Sequence, residues 1–318
     1  MTNQTNQQLG AITRRSCLGV IGGAVVGSAT ATATAKSDFE TVTVAEDTRE
    51  VVFVDDGETL ENVTYDVTAA GAGVSIVAVE TDWTIRNVAI HGTVEMGDNS
   101  VFSVGDTDGG TSRIENVWLG DGDDYQQKGA TGFWTPPSHD GHLEIERVNV
   151  QSLSDNAFYC SPPGRAGGGT VAFRDCYAAN CWVAQYRLAA GTIDNCVASV
   201  TDSRPYRQGR GVWAWNPGTV EVVDSEFDMN GHHYSFRAGA NGEPSHMTIT
   251  DTEWDDGSTV GGRNSQGVRL RSRAEMAPTH RIRFPTAVRR RLAMCSLEKP
   301  IAVGVIAGVT AATSSARH

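Results

Sequence analysis

The hydrophobic and polar residues of this chain follow a short pattern that recurs eight times. Each copy reads apolar, any residue, Asn/Asp/Arg, small or apolar, any residue, apolar, and the copies run from Leu60–Tyr65 to Ile249–Trp254. A mean spacing of 27 residues predicts one structural unit per copy, stacked on its neighbours. The central polar residues are Asn62, Asn87, Asn116, Arg147, Asp175, Asn195, Asp224 and Asp251.

Within each copy, the pattern indicates two short β-strands that meet at a bend. The first, fourth and sixth residues are mostly apolar, so strand periodicity places the apolar set on one face. Asn or Asp at the bend tolerates unusual backbone angles and can hydrogen-bond to neighbouring coils. A unit with a single apolar face cannot bury it alone, so we expect coils stacked about 4.8 Å apart around a continuous interior. The segments 71–79 and 99–104 supply a further strand per coil.

The repeat resembles those of the right-handed parallel β-helix proteins of the pectate-lyase-like superfamily, over roughly residues 50–270. The resemblance implies an all-β solenoid of about eight coils, which we assign to residues 59–270. A leucine-rich repeat is disfavoured because its Leu-x-x-Leu-x-Leu core is missing, and a β-propeller would need longer, antiparallel units. An antiparallel sandwich is the weaker alternative.

The two ends of the chain differ from the repeats. Arg14 and Arg15 precede an apolar run and a stretch of small residues, so residues 1–35 are predicted to be a twin-arginine export signal, with a short membrane anchor as the alternative. Residues 36–58 are expected to cap the solenoid. Residues 271–318 form a basic tail, interpreted as disordered or non-native, or alternatively as membrane-associating.

Charge is distributed unevenly along the chain. The formal net charge is -12, yet from Arg263 to the C terminus it is +9, which leaves -21 for residues 1–262. A body this acidic disfavours generic nucleic-acid binding because it repels phosphate backbones. Only three of the 26 basic residues are lysines, a composition that resembles proteins adapted to high salt.

Cysteines and acidic loops raise the question of cofactors. Small buried core residues are the favoured interpretation of the four central cysteines, with disulfides and a zinc site as alternatives. Acidic residues at 121, 123 and 124, and at 106 and 108, leave calcium open as a cofactor, although no complete calcium-loop pattern is present. The four cysteines are Cys160, Cys176, Cys181 and Cys196.

The strand after each later repeat supplies the candidate binding residues. Alternation predicts that Tyr186, Leu188, Tyr234 and Phe236 point into the solenoid. The same alternation leaves another set on the outside, and Trp213 and Arg269 are expected to extend it into one arginine and aromatic stripe. The outward set is Gln185, Arg187, Ser235 and Arg237.

A stripe of this kind suits an acidic polysaccharide, because Arg pairs bidentately with carboxylates and sulfates and aromatic rings stack on sugars. The superfamily resemblance implies that a basic residue, here Arg187 or Arg237, removes the proton beside a uronate carboxylate. Gln185, Trp213, Ser235 and Arg269 are then candidate substrate-binding residues. The expected protein is an exported monomer that binds, and by elimination cleaves, an acidic extracellular or cell-surface glycan, with no nucleic-acid partner and no membrane span.

Other interpretations stay open at this point. The main alternative is a non-catalytic surface protein, adhesive or structural, in which the outward arginines pair with carboxylates of adjoining rungs. The histidines at 232, 233, 139 and 142 are further acid–base candidates. Asp155 begins a strand as in glycosidases of similar fold, but it has no partner Asp on a matching rung, as a two-carboxylate hydrolase would require.

Overall fold

A computed structural model describes residues 39–123, 128–161, 168–201, 209–215, 218–255 and 268–271, the last segment by its backbone alone. The chain divides into two units between residues 38 and 39, and all of the described residues belong to the second. The predicted export signal and the predicted basic tail, apart from Arg271, lie outside the described residues. Both predictions therefore remain untested.

The second unit is a parallel β-solenoid of about seven turns, which confirms the predicted fold class. Its strands pair in parallel in two sheets, and each strand contacts the strand one coil earlier and one coil later. The strands of the fourteen-stranded sheet are β1 (Glu40–Thr43), β3 (Thr59–Asp66), β5 (Thr84–His91), β7 (Thr111–Leu119), β9 (His142–Gln151), β11 (Thr170–Arg174), β12 (Tyr177–Ala179), β14 (Gly191–Asp194), β15 (Val197–Ser199), β17 (Thr219–Val223), β18 (Glu226–Asp228), β20 (His246–Thr250), β21 (Glu253–Trp254) and β22 (Val268–Arg271).

The other sheet has eight strands and carries the outer surface on which the candidate site lies. Its first strand lies in the expected capping segment, which forms a first coil in register with the rest rather than a separate lid. The strands are β2 (Arg49–Phe53), β4 (Gly73–Ala78), β6 (Ser100–Val104), β8 (Thr131–Trp134), β10 (Phe158–Cys160), β13 (Ala184–Leu188), β16 (Arg210–Ala214) and β19 (Phe236–Ala238).

The bend inside each coil is made by the polar residue that the repeat singles out. All eight of these residues have a positive φ, between 47° and 57°. This left-handed conformation is unfavourable for most L-residues and is tolerated best by Gly, Asn and Asp. In the early coils one long strand runs through the bend, whereas from β11 onward the chain forms two shorter strands around it.

Side chains at the bend also bind one coil to the next. Asn87 Nδ2 donates to Asn62 Oδ1 at 2.9 Å, and Asn116 Nδ2 donates to Asn87 Oδ1 at 2.7 Å. Arg147 occupies the next place in the column and forms ion pairs with Glu115 and Glu146. The predicted column of residues 62, 87 and 116 is therefore present as adjoining parallel rungs.

The interior is filled by apolar residues that repeat from coil to coil. Phe102, Phe133, Phe158 and Tyr186 form a continuous stack, with ring centroids 4.4, 5.1 and 5.3 Å apart in succession. These separations are close to the rung spacing, because each ring comes from the equivalent position of the next coil. The stack holds the eight-stranded sheet in register from inside.

The four central cysteines are free and buried. Cys176 and Cys196 face each other on adjoining rungs, as predicted, because Tyr177 pairs with Val197 in the next coil. Burial raises the pKa of the Cys160 thiol to about 12. These properties are those of small core residues, in agreement with the favoured interpretation.

We expect Asn87→Ala to destabilise the solenoid more than Asn87→Gly. Both variants lose the two amide hydrogen bonds, each worth about 0.5–1.5 kcal/mol, but alanine also has to adopt the left-handed conformation at about 1–2 kcal/mol. Equilibrium urea unfolding of the two variants measures the difference. Equal stability of the Ala and Gly variants would contradict the role assigned to the bend.

Candidate functional site

The candidate site is a column of aromatic and cationic residues on the outer face of the eight-stranded sheet. Strand register places Trp134, Tyr159, Arg187, Trp213 and Arg237 at matching positions of five successive coils. Their neighbours within each strand point into the solenoid, as the buried Phe158, Tyr186 and Phe236 do. We call these five residues the arginine–aromatic column.

Arg187 is held at the centre of the column by rings on several sides. Its guanidinium carbon lies 3.8 Å from the centroid of the Tyr159 ring and 3.7 Å from that of Trp215. Nε donates to Ser161 Oγ at 2.8 Å, and Nη2 donates to the Tyr159 hydroxyl at 2.9 Å. Arg187 is therefore outward-pointing, as predicted, but it is 6% exposed rather than freely accessible.

Three guanidinium groups surround the Trp213 indole. The guanidinium carbons of Arg187, Arg210 and Arg237 lie 4.8, 3.9 and 5.0 Å from its ring centroid. Trp213 Nε1 donates to the Gly239 carbonyl at 3.0 Å, which fixes the ring, and only 9% of the residue is exposed. The indole therefore orients the cations more than it offers a free stacking surface.

Two of the three arginines in this cluster lack a carboxylate partner among the described residues. Within the described part of the chain, no carboxylate lies within ion-pair distance of Arg187 or Arg237. Burial lowers the pKa of Arg187 to about 10. Burial, followed by repulsion from Arg237 and Arg187, lowers the pKa of Arg210 to about 9. These shifts are those of cations that have lost water and lie close to one another.

His233 lies beside the same cations. Burial, followed by repulsion from Arg210 and Arg237, lowers the pKa of its imidazole to about 4. The neighbouring Tyr234 is 37% exposed and stacks edge-on against it, with centroids 4.5 Å apart. The imidazole is thus neutral at pH 7 and adds a hydrogen-bonding group without adding charge.

Two residues predicted to lie on the exposed stripe are buried, and this part of the prediction is wrong. Gln185 is fully buried, and its side-chain amide closes a turn by accepting from Cys181 N at 3.3 Å and donating to Cys181 O at 3.1 Å. Ser235 is also fully buried, and Tyr234 is exposed instead. Alternation predicts that Tyr234 points inward and Ser235 outward, and it fails for both because β19 begins only at Phe236. Gln185 lies within β13, where alternation holds, but the turn at Cys181 covers it.

Arg269 does not extend the stripe. It lies in β22, which pairs with β20 in the fourteen-stranded sheet, and its position there matches Thr248. The arginine–aromatic column belongs to the other sheet. Segment 267–271 resembles the arginine-bearing strands in composition, but the order of strands around the coil decides which face a strand occupies.

Several contributors to the site are not evident from the repeat pattern. Tyr159 precedes Arg187 by 28 residues, close to the repeat length, so the spacing alone could have placed the two residues on adjoining rungs. Strand alternation places Trp215 on the outer face, because it follows Trp213 by two residues, but it does not predict Arg210, which has the parity of the inward Val212.

The other polar concentrations have structural partners. His139 is buried, its pKa is lowered by that burial, and its ring nitrogens face the carbonyl oxygens of Asp106 and Thr170. Asp155 accepts from Lys128 at 2.9 Å and from Thr131 at 3.0 Å. Asp121 accepts from the Gly92 amide at 2.8 Å. Asp124 lies outside the described residues.

In the part of the chain that the structure describes, no three His, Cys, Asp or Glu side chains are grouped around one metal position. Among the same residues there is no helix long and apolar enough to cross a membrane. Comparison with known protein families, with curated proteins and with solved structures gives no match. The inferences about function therefore depend on the site itself.

We expect Arg210→Gln to raise the pKa of His233 from about 4 toward its ordinary value, because the largest source of repulsion is removed while burial persists. NMR titration of the imidazole measures the shift. In the wild-type protein the folded-state pKa lies below the unfolded value, so this histidine should reduce stability as the pH falls from about 6.5 to 4. A wild-type pKa near 6.5 would show that the cations do not act on His233.

Proposed function

We propose that this protein binds an acidic polysaccharide along the arginine–aromatic column. The observation that carries the proposal is the convergence of three arginines on Trp213, two of them without a carboxylate in ion-pair distance among the described residues. Buried cations are costly unless they are paired, so an anionic ligand group would supply the missing interaction. Residues with shifted pKa values concentrate at functional sites, which agrees with the lowered pKa values of Arg187 and Arg210.

The geometry of the column favours a polymer over a small anion. Successive members lie on successive rungs, about 4.8 Å apart, so the five positions extend along the solenoid axis. Half-buried aromatic rings at Trp134 and Tyr159 continue the column beyond the arginines and suit the apolar faces of sugar rings. A linear glycan could therefore pair its acidic groups with the arginines while its sugars stack on the rings.

The proposal includes export by the twin-arginine route. It is supported by Arg14 and Arg15, which precede an apolar run and a stretch of small residues. An extracellular location would bring the site into contact with cell-surface or matrix glycans. The non-catalytic adhesive function is the form of this proposal in which the bound glycan is not cleaved.

Replacing Arg237 with Gln should weaken binding of an acidic glycan about tenfold, the loss expected for one charge-assisted contact. Isothermal titration with polygalacturonate, hyaluronan and a neutral dextran, at low and at molar ionic strength, measures the change. Arg113→Gln is the matched control, because Arg113 lies on the other sheet and pairs with Glu144 at 2.9 Å. Equal affinity of the two variants, or equal binding of dextran, would contradict the proposal.

Cleavage by β-elimination is the second candidate function, and the lowered pKa of Arg187 favours it. A base would remove the proton beside the uronate carboxylate, the glycosidic C–O bond would break, a C=C bond would form, and the departing oxygen would take up a proton. A guanidinium with a pKa of about 10 is closer to the working range of a general base than an ordinary arginine.

If Arg187 is the base, the rate of unsaturated-uronate formation should rise with pH up to about 10, since the neutral guanidine is the reactive form. Arg187→Lys should move this rise to lower pH, because the burial that lowers the pKa of Arg187 would also lower the pKa of a lysine, whose ordinary value is already below that of arginine. Arg237→Gln should weaken substrate binding without moving the rise. Ultraviolet absorbance of the unsaturated product measures the rate. Binding without any unsaturated product would exclude elimination and leave the adhesive function.

A further inference from the structure

A second unbalanced charge lies at the turn between β6 and β7. Asp106 is fully buried, and its Oδ2 atom accepts from the Asp82 amide at 3.1 Å and from Ser112 Oγ at 2.5 Å. Its Oδ1 atom is also buried but has no hydrogen-bond partner. A buried carboxylate oxygen without a partner is rare in folded proteins, because such an atom normally binds a donor group, an ordered water or an ion.

Other oxygen atoms converge beside Asp106 Oδ1. The point that a Cβ on Gly110 would occupy lies closest to Thr81 Oγ1, and it is 2.9 Å from Asp82 Oδ1 and 3.0 Å from Asp106 Oδ1. Three oxygens from two successive coils thus converge beside Gly110, and they can approach its backbone this closely because residue 110 has no side chain. Any larger residue there would displace at least one of them.

A backbone carbonyl completes the set. The corresponding Cβ point of Gly141, one coil further along, lies against Asp106 Oδ1 and is 2.7 Å from the Gly110 carbonyl oxygen. Asp106 Oδ1 and the Gly110 carbonyl oxygen therefore both lie near this point. The candidate ligand atoms are two carboxylate oxygens, one hydroxyl and one carbonyl. Asp82 Oδ1 also accepts from the Thr111 amide at 3.0 Å and the Gly110 carbonyl from the His142 amide at 2.9 Å, so each would use a further lone pair for the ion.

We propose that Thr81, Asp82, Asp106 and the carbonyl of Gly110 bind a calcium ion. Calcium accepts carboxylate, carbonyl and hydroxyl oxygens in flexible arrangements and completes its shell with water, whereas magnesium demands a stricter octahedron. The two carboxylates would balance the charge of a divalent cation. This cation would connect the turns of two adjoining coils, so it would stabilise the solenoid independently of any glycan bound elsewhere.

Trp83 gives this site a direct spectroscopic readout. Trp83 follows Asp82 in the chain, is fully buried, and donates from Nε1 to the Gly105 carbonyl at 2.9 Å. Its indole therefore lies close to the proposed calcium ligands. Terbium binds calcium sites and emits when a neighbouring tryptophan is excited. The chelator-treated full chain should show saturable terbium emission that calcium displaces.

The decisive variant is Gly110→Ala, which places a methyl group among the oxygens without altering any charge. The φ angle at Gly110 is compatible with alanine, because Gly110 is not among the glycines with a positive φ. We expect this variant to lose the saturable terbium signal and to bind calcium at least about tenfold more weakly by calorimetry. Thr81→Val, which removes one neutral ligand, should weaken binding less.

The matched control is Asp108→Asn, in the same turn. Asp108 is exposed, is not one of the proposed calcium ligands, and has a positive φ of 60° that asparagine tolerates. The Asp108→Asn variant should bind calcium with the same affinity as the wild type. Calcium should also raise the melting temperature of the wild type and the control by about 5 °C at saturation, but not that of Gly110→Ala.

Two results would overturn the proposal. One is the absence of saturable calcium binding to the wild-type chain, which would leave a water molecule as the partner of Asp106. The other is equal binding by the wild type and Gly110→Ala, which would place the ion elsewhere on the acidic surface. Circular dichroism of Gly110→Ala distinguishes a blocked site from a misfolded chain, and if it misfolds, retention of full calcium affinity by Thr81→Val overturns the proposal.

Discussion

The structure depends on one constraint, which is that each coil must match the next at the spacing of a β-sheet. Backbone hydrogen bonds between parallel strands impose that spacing, about 4.8 Å, on every residue of the coil. The left-handed residue at the bend keeps the coils in phase, because each coil has to turn at the same place. Asn62, Asn87 and Asn116 meet this demand twice, through their backbone angles and through the side-chain bonds that join them.

Stacking converts equivalent sequence positions into columns, inside and outside. Inside, the columns place ring upon ring, as in the series that ends at Tyr186, and this packing contributes dispersion and hydrophobic stabilisation in proportion to the area removed from water. Outside, the same rule places Arg187 one rung from Trp213 and two rungs from Arg237. The candidate site is thus a product of register, since its residues are widely separated along the chain.

The same constraint leaves charge unbalanced at two places. Around Trp213, aromatic faces offset part of the cost of burying guanidinium groups, but they do not neutralise the charge. At Asp106, the turn brings carboxylate and hydroxyl oxygens together around a glycine. One place groups guanidinium groups and the other groups carboxylates, so the two sites call for ligands of opposite sign. One solenoid can carry both because each site occupies only a few coils.

The sequence by itself determined the fold class and the positions of the eight bends in the repeat. Each coil needs, at the same place, a residue that tolerates the left-handed conformation. Such residues therefore recur from residue 62 to residue 251 and can be recognised from the sequence alone. The inward positions of Tyr186 and Phe236 and the outward direction of Arg187, Trp213 and Arg237 follow from strand alternation for the same reason. Only the tertiary structure decided that Gln185 and Ser235 are buried, that Arg269 belongs to the other sheet, and that Arg210 lies over the Trp213 ring. Those outcomes depend on where individual strands begin and on contacts between coils, and neither of these repeats along the chain.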